Sequence, residues 1–267
     1  MNQERILVVT ATLGYRESLK RTIESVRAIG GSIVRHIIIA PQSKIALIKE
    51  RFGNIECLAE PEGKKGIYAA LNYAFQTYGH NYNYLTFIND DDYWLPNYQH
   101  IITELVNNPS LDMVYGRTQY VNSQGIKIGT QACSYQFMQF IPLLESNIVL
   151  LTQQATLIKS ELYFKIGGFD ESYKLIADTK FWAQLSLMNI HYKYLNKECA
   201  AYTIQDGQLS SDRVTQRMEH ERLLQELNAK SYKRYDLTIL KFRLNNLLIY
   251  INRYFKKLVS KQSKKGY

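Results

Sequence analysis

Short apolar runs alternate along the first half of this chain with stretches whose apolar positions recur every three or four residues. The run over 6–12 predicts a buried strand. Leu19, Ile23 and Val26 then mark one face of a helix that Gly30 and Gly31 stop. Residues 34–40 predict a second strand. Ser43 is placed to cap a helix carrying Ile45, Ile48 and Phe52 and closed by Gly53. Residues 55–59 predict a third strand. A turn-rich segment over 60–66 leads into a helix with Ile67, Ala70, Leu71 and Ala74 on one face, and a fourth strand begins at Tyr84. This strand–helix alternation predicts an α/β fold with a doubly wound, mostly parallel sheet.

Beyond Pro96 the pattern becomes irregular. Residues 112–115 and 118–122 predict two short strands, followed by a turn at Ser123, Gln124 and Gly125. Residues 148–152 and 155–158 read as strand-like. A helix from Ser160 stops at Gly167 and Gly168, another spans 178–188, and 192–195 and 200–204 look extended. The first 210 residues therefore form one α/β unit with a small antiparallel part, and 211–267 form a helical extension.

The fourth strand runs directly into Asn89, Asp90, Asp91, Asp92, Tyr93, Trp94. In open α/β sheets, ligands bind just past the carboxyl ends of the strands. Three adjacent acids there repel one another unless a counter-charge is present, and a hard divalent cation prefers such oxygen ligands. On an extended chain Asp90 and Asp92 would share one side and Asp91 the other. A solvated acidic turn is the competing reading. Neither GxGxxG nor GxxxxGK[ST] occurs, so neither the dinucleotide fingerprint nor a Walker loop is present.

Composition adds little for the body and much for the tail. The net charge is +9, but from Lys230 onward there are eleven Lys/Arg and one acid, so the preceding residues sum to −1. The basic tail therefore suits an anionic surface. The three cysteines, Cys57, Cys133 and Cys199, show no metal-ligand spacing and suggest reduced thiols. No signal-peptide pattern or transmembrane-length run is found, which predicts a cytoplasmic setting.

Taken in order, several pieces resemble the family 2 glycosyltransferases of the GT-A fold. They are residues 60–68 (EPEGKKGIY), Asn89 to Asp92, residues 112–116 (DMVYG), Gln154-Ala155-Thr156, and residues 167–178 (GGFDESYKLIAD). The resemblance covers about residues 5–210. It implies a transferase using a nucleotide-diphosphate sugar, with Mn²⁺ or Mg²⁺ as cofactor. It places Asp92 as the direct metal ligand and Asp90 or Asp91 at the ribose or a metal-bound water, with Asp90 also a candidate for the metal. Thr10, Ala11 and Thr12 fall where the family holds base and ribose, and Glu62 and Lys65 fall in its nucleotide-sugar loop. Asp178 matches the acid that takes the acceptor's proton, although it is also placed to cap its helix. The family implies a lipid-linked or glycan acceptor in bacterial surface-polysaccharide assembly, at the inner face of the cell membrane.

Three departures bear on the donor. The family's acid at the end of the second strand is replaced by Ile39-Ala40-Pro41-Gln42-Ser43, its acceptor-side His by Gln153 before Gln154, and a helix Asp by Ala69. A sugar nucleotidyltransferase would show a Gly-rich basic loop after the first strand, where this chain has Leu13-Gly14-Tyr15-Arg16. A non-catalytic binding module on the same fold is the other alternative.

The tail itself predicts one amphipathic helix. Leu237, Leu240, Leu244, Leu247, Leu248, Ile251, Phe255 and Leu258 form one stripe, and Asp236 can cap it. Arg253, Lys256 and Lys257 fall away from the stripe, and Lys261, Lys264 and Lys265 follow it. Residues 237–265 are thus expected to lie on an anionic membrane surface, with packing on the domain or on a second subunit as the alternative. A bridging helix is expected over 214–229.

Overall fold

The computed structural model of the chain describes residues 5–205, 208, 211–227 and 236–263. Among these, nine strands form one mixed sheet. β1 (Ile6–Ala11), β2 (Val34–Ala40), β3 (Glu56–Ala59) and β4 (Tyr84–Phe87) run parallel in the order β3-β2-β1-β4. Their carboxyl ends therefore share one edge. The parallel half matches the strand pattern read from the apolar runs.

Burial on both faces explains why those runs are continuous rather than alternating. Leu7 and Val9 of β1 face one core cluster while Ile6 and Val8 face another. On the first side lies α3 (Ile67–Tyr78), with Leu71, Ala74 and Phe75 buried. On the second, α1 (Ser18–Gly30) contributes Val26, and α4 (Tyr98–Asn107) contributes Ile101, Ile102 and Leu105. α2 (Gln42–Phe52) buries only Ile48, and Pro41 rather than Ser43 stands at its N-cap; Ser43 is inside the helix. Proline preset at the helix entrance leaves Ser43 no role as a cap.

The second half departs more from the sequence pattern. β6 (Met113–Asn122) is one ten-residue strand rather than two, and β9 (Tyr192–Ile204) one of thirteen. They pair in parallel, with register shifts between Tyr115 and Thr118. The polar residues 196–198 that interrupt the apolar pattern sit at this irregularity, where Arg117 Nε donates to Asn196 Oδ1 over 2.6 Å. Gly116 is required there: a Cβ would lie 2.5 Å from Cys199 Sγ. β7 (Lys127–Thr130) closes a hairpin onto β6, and β8 (Thr156–Lys159) lies antiparallel between β4 and β6. β5 (Tyr93–Trp94) pairs with β9. Residues 148–152 are not a strand but an irregular segment between α5 (Phe140–Glu145) and a short 3₁₀ turn at Gln153–Ala155. α6 (Ser160–Ile166) ends at a left-handed Gly167, and α7 is Ala177–Ser186.

The helices of the extension join the main core. α8 (Arg213–Glu226) buries Leu223, and α9 (Asp236–Asn245) buries Phe242, in the same cluster as Tyr68 and Phe169. The expected single tail helix is two: α9 and α10 (Leu247–Ser263). They are separated at Asn246, which is 2% exposed. Its Oδ1 accepts from Arg117 Nη1 at 2.8 Å and from the Cys133 backbone N–H at 3.1 Å. These bonds draw the side chain into the domain and explain the break. The expected stripe stays outside: Leu237, Leu240, Leu244, Leu247, Leu248, Ile251 and Phe255 are all exposed. Packing of the stripe on the domain is therefore excluded. Phe242 and Asn246, one turn apart on another face, do the docking. The side chains of Asp236, Lys256, Lys257, Leu258 and Lys261, and all of Lys264 and Lys265, lie outside the described residues.

Among the described residues no helix is long and apolar enough to cross a membrane.

Candidate active site

The acidic motif is a tight turn, not an extended chain, because the Asp92 N–H donates to the Asn89 carbonyl at 3.2 Å. The first turns of α1 hold it: Ser18 Oγ donates to the Asp90 carbonyl at 2.9 Å and Thr22 Oγ1 to the Asp92 carbonyl at 2.7 Å. The turn sends the three carboxylates to different environments.

Asp92 points into the protein. It is fully buried, and its carboxylate accepts from Asn89 Nδ2 (3.0 Å), Gln154 Nε2 (2.5 Å) and the Thr203 N–H (2.8 Å). Burial, and then the neighbouring Asp91 charge, push its pKa well above the usual carboxylate range. Asp92, expected as the direct metal ligand, is held in this arrangement by three internal donors.

Asp90 and Asp91 face Arg16 instead. One guanidinium nitrogen, Nη1, stands 3.0 Å from Asp90 Oδ1 and 2.5 Å from Asp91 Oδ2. Asp90 also accepts from Thr12 Oγ1 at 2.6 Å, and Asp91 from Gln205 and Gln208, each at 3.0 Å. Burial raises the Asp90 pKa against the opposing pull of the Thr12 bond and the Arg16 charge. Arg16 is raised in turn: burial would lower it, but the two carboxylates outweigh that. Two hard oxygen donors converging on one positive centre are the chemistry a divalent cation requires. Asp90 and Asp91 therefore fit such an ion, and Arg16 already holds the counter-charge at that position. No cluster of three or more His, Cys, Asp or Glu suited to a metal exists among the described residues.

The remaining donor-side residues separate. Thr12 is at the motif, but Thr10 is not: its hydroxyl shares a 2.9 Å bond with His36 Nε2 inside the sheet. Burial lowers His36 to about 3, so the ring there is neutral. Ala11, half-buried at the end of β1, packs against the main core. Glu62 and Lys65 are exposed on the loop after β3. In that loop Lys64, not Lys65, makes the ion pair, to Glu171. Trp94 and Trp182 are core residues, the first stacked on Tyr98 with centroids 3.8 Å apart.

Asp178 is the second residue of α7, and Ile176 stands at the N-cap, so the expected capping position is corrected. The half-buried carboxylate takes the Thr179 N–H at 2.8 Å and the Tyr68 hydroxyl at 3.0 Å, both on Oδ1. Burial raises its pKa, with these bonds opposing the shift. Tyr68, on the first turn of α3, also reaches the Leu175 carbonyl at 3.0 Å. Further along α3, Asn72 clamps Phe169 through its N–H (2.9 Å) and carbonyl (2.8 Å). Gly168, at φ +85°, is needed beside it, because a Cβ would meet Tyr163 Oη at 2.9 Å and Asn72 Oδ1 at 3.0 Å. Sequence reasoning quoted Arg16, Tyr68 and Gln154 without giving them a role at the site, and missed Asn72. Tyr68 and Gln154 lay inside the family-like motifs, and Arg16 had its own signal, a cation after β1 opposite three acids.

Comparison with known proteins follows this geometry. The family described as "Glycosyl transferase family 2" matches over residues 7–169, more than half of the chain. No curated protein matches. Among solved structures, S. aureus TarS 1-349 in complex with UDP-GlcNAc is similar at TM-score 0.61 and 14% identity, covering 93% of this chain and 79% of that one. TarS 1-349 in complex with UDP gives 0.57 and 14%, covering 93% and 78%. A further TarS 1-349 structure gives 0.56 and 14%, covering 74% of this chain, which spans 60% of its length. At these identities the likeness is one of fold.

Proposed function

The chain belongs to glycosyl transferase family 2, and from that premise we propose that it is an inverting, metal-dependent transferase. It moves a sugar from a nucleotide-diphosphate sugar to a hydroxyl of a glycan or lipid-linked acceptor. The observation that carries this reading is the Asp178 carboxylate, half-buried, with a raised pKa and held on Oδ1 by Tyr68 and the Thr179 N–H. The carboxylate is the group that accepts a proton in this reading. As the acceptor oxygen attacks the anomeric carbon, its proton passes to Asp178 and the bond to the diphosphate breaks. A carboxylate raised towards neutral pH is a stronger base than an ordinary one. A single displacement with one base inverts the anomeric centre.

The parallel-strand edge carries the donor. Asp90 and Asp91, which already converge on the Arg16 cation, would hold Mn²⁺ or Mg²⁺, and the ion when bound would neutralise the leaving diphosphate. Asp92 braces the motif from behind. Lys65 and Glu62 are exposed and free to meet a bound nucleotide sugar. Ala40 and Pro41 stand where an acid would read uracil, so the base is tested rather than assumed. UDP and UDP-GlcNAc, named in the TarS complexes, are the first ligands to try.

The exposed stripe on α9 and α10, next to a basic tail, holds the enzyme on the anionic inner face of the membrane beside a lipid-linked acceptor. In this reading residues 1–210 carry the donor and the base, and within 211–267 the α9–α10 stripe is the attachment.

A thermal-shift panel of nucleoside diphosphates with and without Mn²⁺ tests the proposal. A ligand that binds only the folded chain raises its melting temperature. A Mn²⁺-dependent rise with one diphosphate is expected; no rise with any of them would overturn the reading.

A further inference from the structure

α8 carries a buried acid that the transfer reaction has not yet used. Glu219 is 8% exposed. Its Oε1 accepts the Lys174 N–H at 2.5 Å, and its Oε2 accepts the N–H groups of Leu175 at 2.9 Å and Ile176 at 3.1 Å. These three donors form the turn that enters α7, two residues before Asp178. Donors at a helix entrance have no partner within the helix, and the helix dipole favours a negative charge there. Here a carboxylate from a distant helix supplies both.

The same turn is gripped from the other side. Tyr68 Oη donates to the Leu175 carbonyl as well as to Asp178. Glu219 therefore fixes the N–H side of the turn, and Tyr68 fixes its carbonyl side. Two more residues on the Glu219 face of α8 extend the hold. Arg222 Nη2 donates to Ser172 Oγ at 2.9 Å, and its guanidinium lies 4.2 Å from the Tyr173 ring centroid. Glu226 accepts from Lys180 Nζ at 2.6 Å, and Lys180 pairs with Asp170 at 2.7 Å. Residues 219, 222 and 226 recur at three and four, so a single face of α8 spans the segment on both sides of Asp178.

We propose that Glu219 is a positioning residue for the transfer: it sets the turn from which α7 presents Asp178, and so makes α8 a working part of the catalytic unit. This rests on Asp178 acting as the base. Glu219 lies outside the donor edge of the sheet, so its loss changes turnover and not donor binding. Small displacements of a catalytic group lower rates by as much as about 10²-fold.

The test uses the full chain and UDP-GlcNAc, the nucleotide sugar named in the TarS complex, or the GlcNAc ester of whichever diphosphate the panel selects. Donor hydrolysis to water is followed as nucleoside diphosphate released, well below the melting temperature of each variant. Glu219→Gln and Glu219→Ala are expected to lower kcat by about tenfold or more, with the diphosphate Kd within about twofold of wild type. Formate, which can fill the vacated site, is expected to restore part of the Glu219→Ala rate, while chloride at equal ionic strength is not. Unchanged kcat in the folded variants would overturn the proposal. So would a loss of kcat matched by an equal loss of folded protein. A wild-type chain that binds no diphosphate would instead sink the transferase reading, so the two failures are distinguishable.

Discussion

Tyr68 and Asp178, 110 residues apart in the chain, share a 3.0 Å hydrogen bond that joins the helix after the donor loop to the helix bearing the base. The bond stabilises the charged carboxylate and so opposes the upward shift that burial imposes. Tyr68→Phe removes that opposition. The Asp178 pKa then rises further, and the acid limb of the kcat–pH profile moves to higher pH. A limb that stays in place, or moves to lower pH, would show that the bond does not tune the base.

Asp178→Asn removes the proton acceptor while keeping the shape. Turnover at saturating donor falls by about 10²-fold or more, and diphosphate affinity is retained. Stability changes little, since Asp178 is not the cap of α7. Isothermal titration with the diphosphate and a turnover assay on the same sample separate the two quantities.

Arg16 competes with any cation for Asp90 and Asp91. Arg16→Gln therefore tightens Mn²⁺ binding in the absence of nucleotide by about tenfold, the scale of one charge-assisted bond. Electron paramagnetic resonance of free Mn²⁺ reads this directly. Equal affinities in the two proteins would mean that the ion binds elsewhere.

Gln154→Leu leaves the buried Asp92 carboxylate one donor short. Losing a partner from a buried polar group costs about 1–3 kcal/mol. Urea unfolding on the alkaline side, where Asp92 is ionised, should show a loss of that size, which shrinks as the pH falls. The sign follows from Asp92: with a donor removed its raised folded-state pKa rises further, so the loss is fully present above that pKa and relieved when the acid is protonated.

Vesicle co-sedimentation checks the tail. Full-length chain binds anionic vesicles and is released by high salt, because exposed charges are screened. Leu240→Ser with Leu244→Ser and Leu248→Ser weakens binding without unfolding the domain, since these side chains are exposed and Phe242 is untouched. Equal sedimentation of the two proteins would return the stripe to contact with a second copy of the chain.

The parallel half of the fold was legible because each strand is buried on both faces and written as an unbroken apolar run. The mixed second half was not. β6 and β9 are long strands whose polar centres sit at a register shift, so periodicity cuts each in two. The acidic motif could be located but not oriented. Whether Asp90, Asp91 or Asp92 turns inward depends on a turn at Asn89 and on donors 62 and 111 residues away. The tail stripe was readable as a pattern, and its exposure was not, because Phe242 and Asn246 dock from a face that the stripe leaves out.

The bonds around Asp92 also order events in time. A ribosome delivers this chain from its N-terminus, and the strand ending in the acids emerges long before Thr203, whose N–H completes the pocket. Until residue 203 is out, Asp92 has no full set of partners and repels Asp91. The acidic turn is therefore closed only after residue 203 has emerged, by contacts across 111 residues that are slow to form. A nascent or truncated chain ending before β9 lacks the Thr203 bonds to Asp91 and Asp92, however well its first four strands have paired.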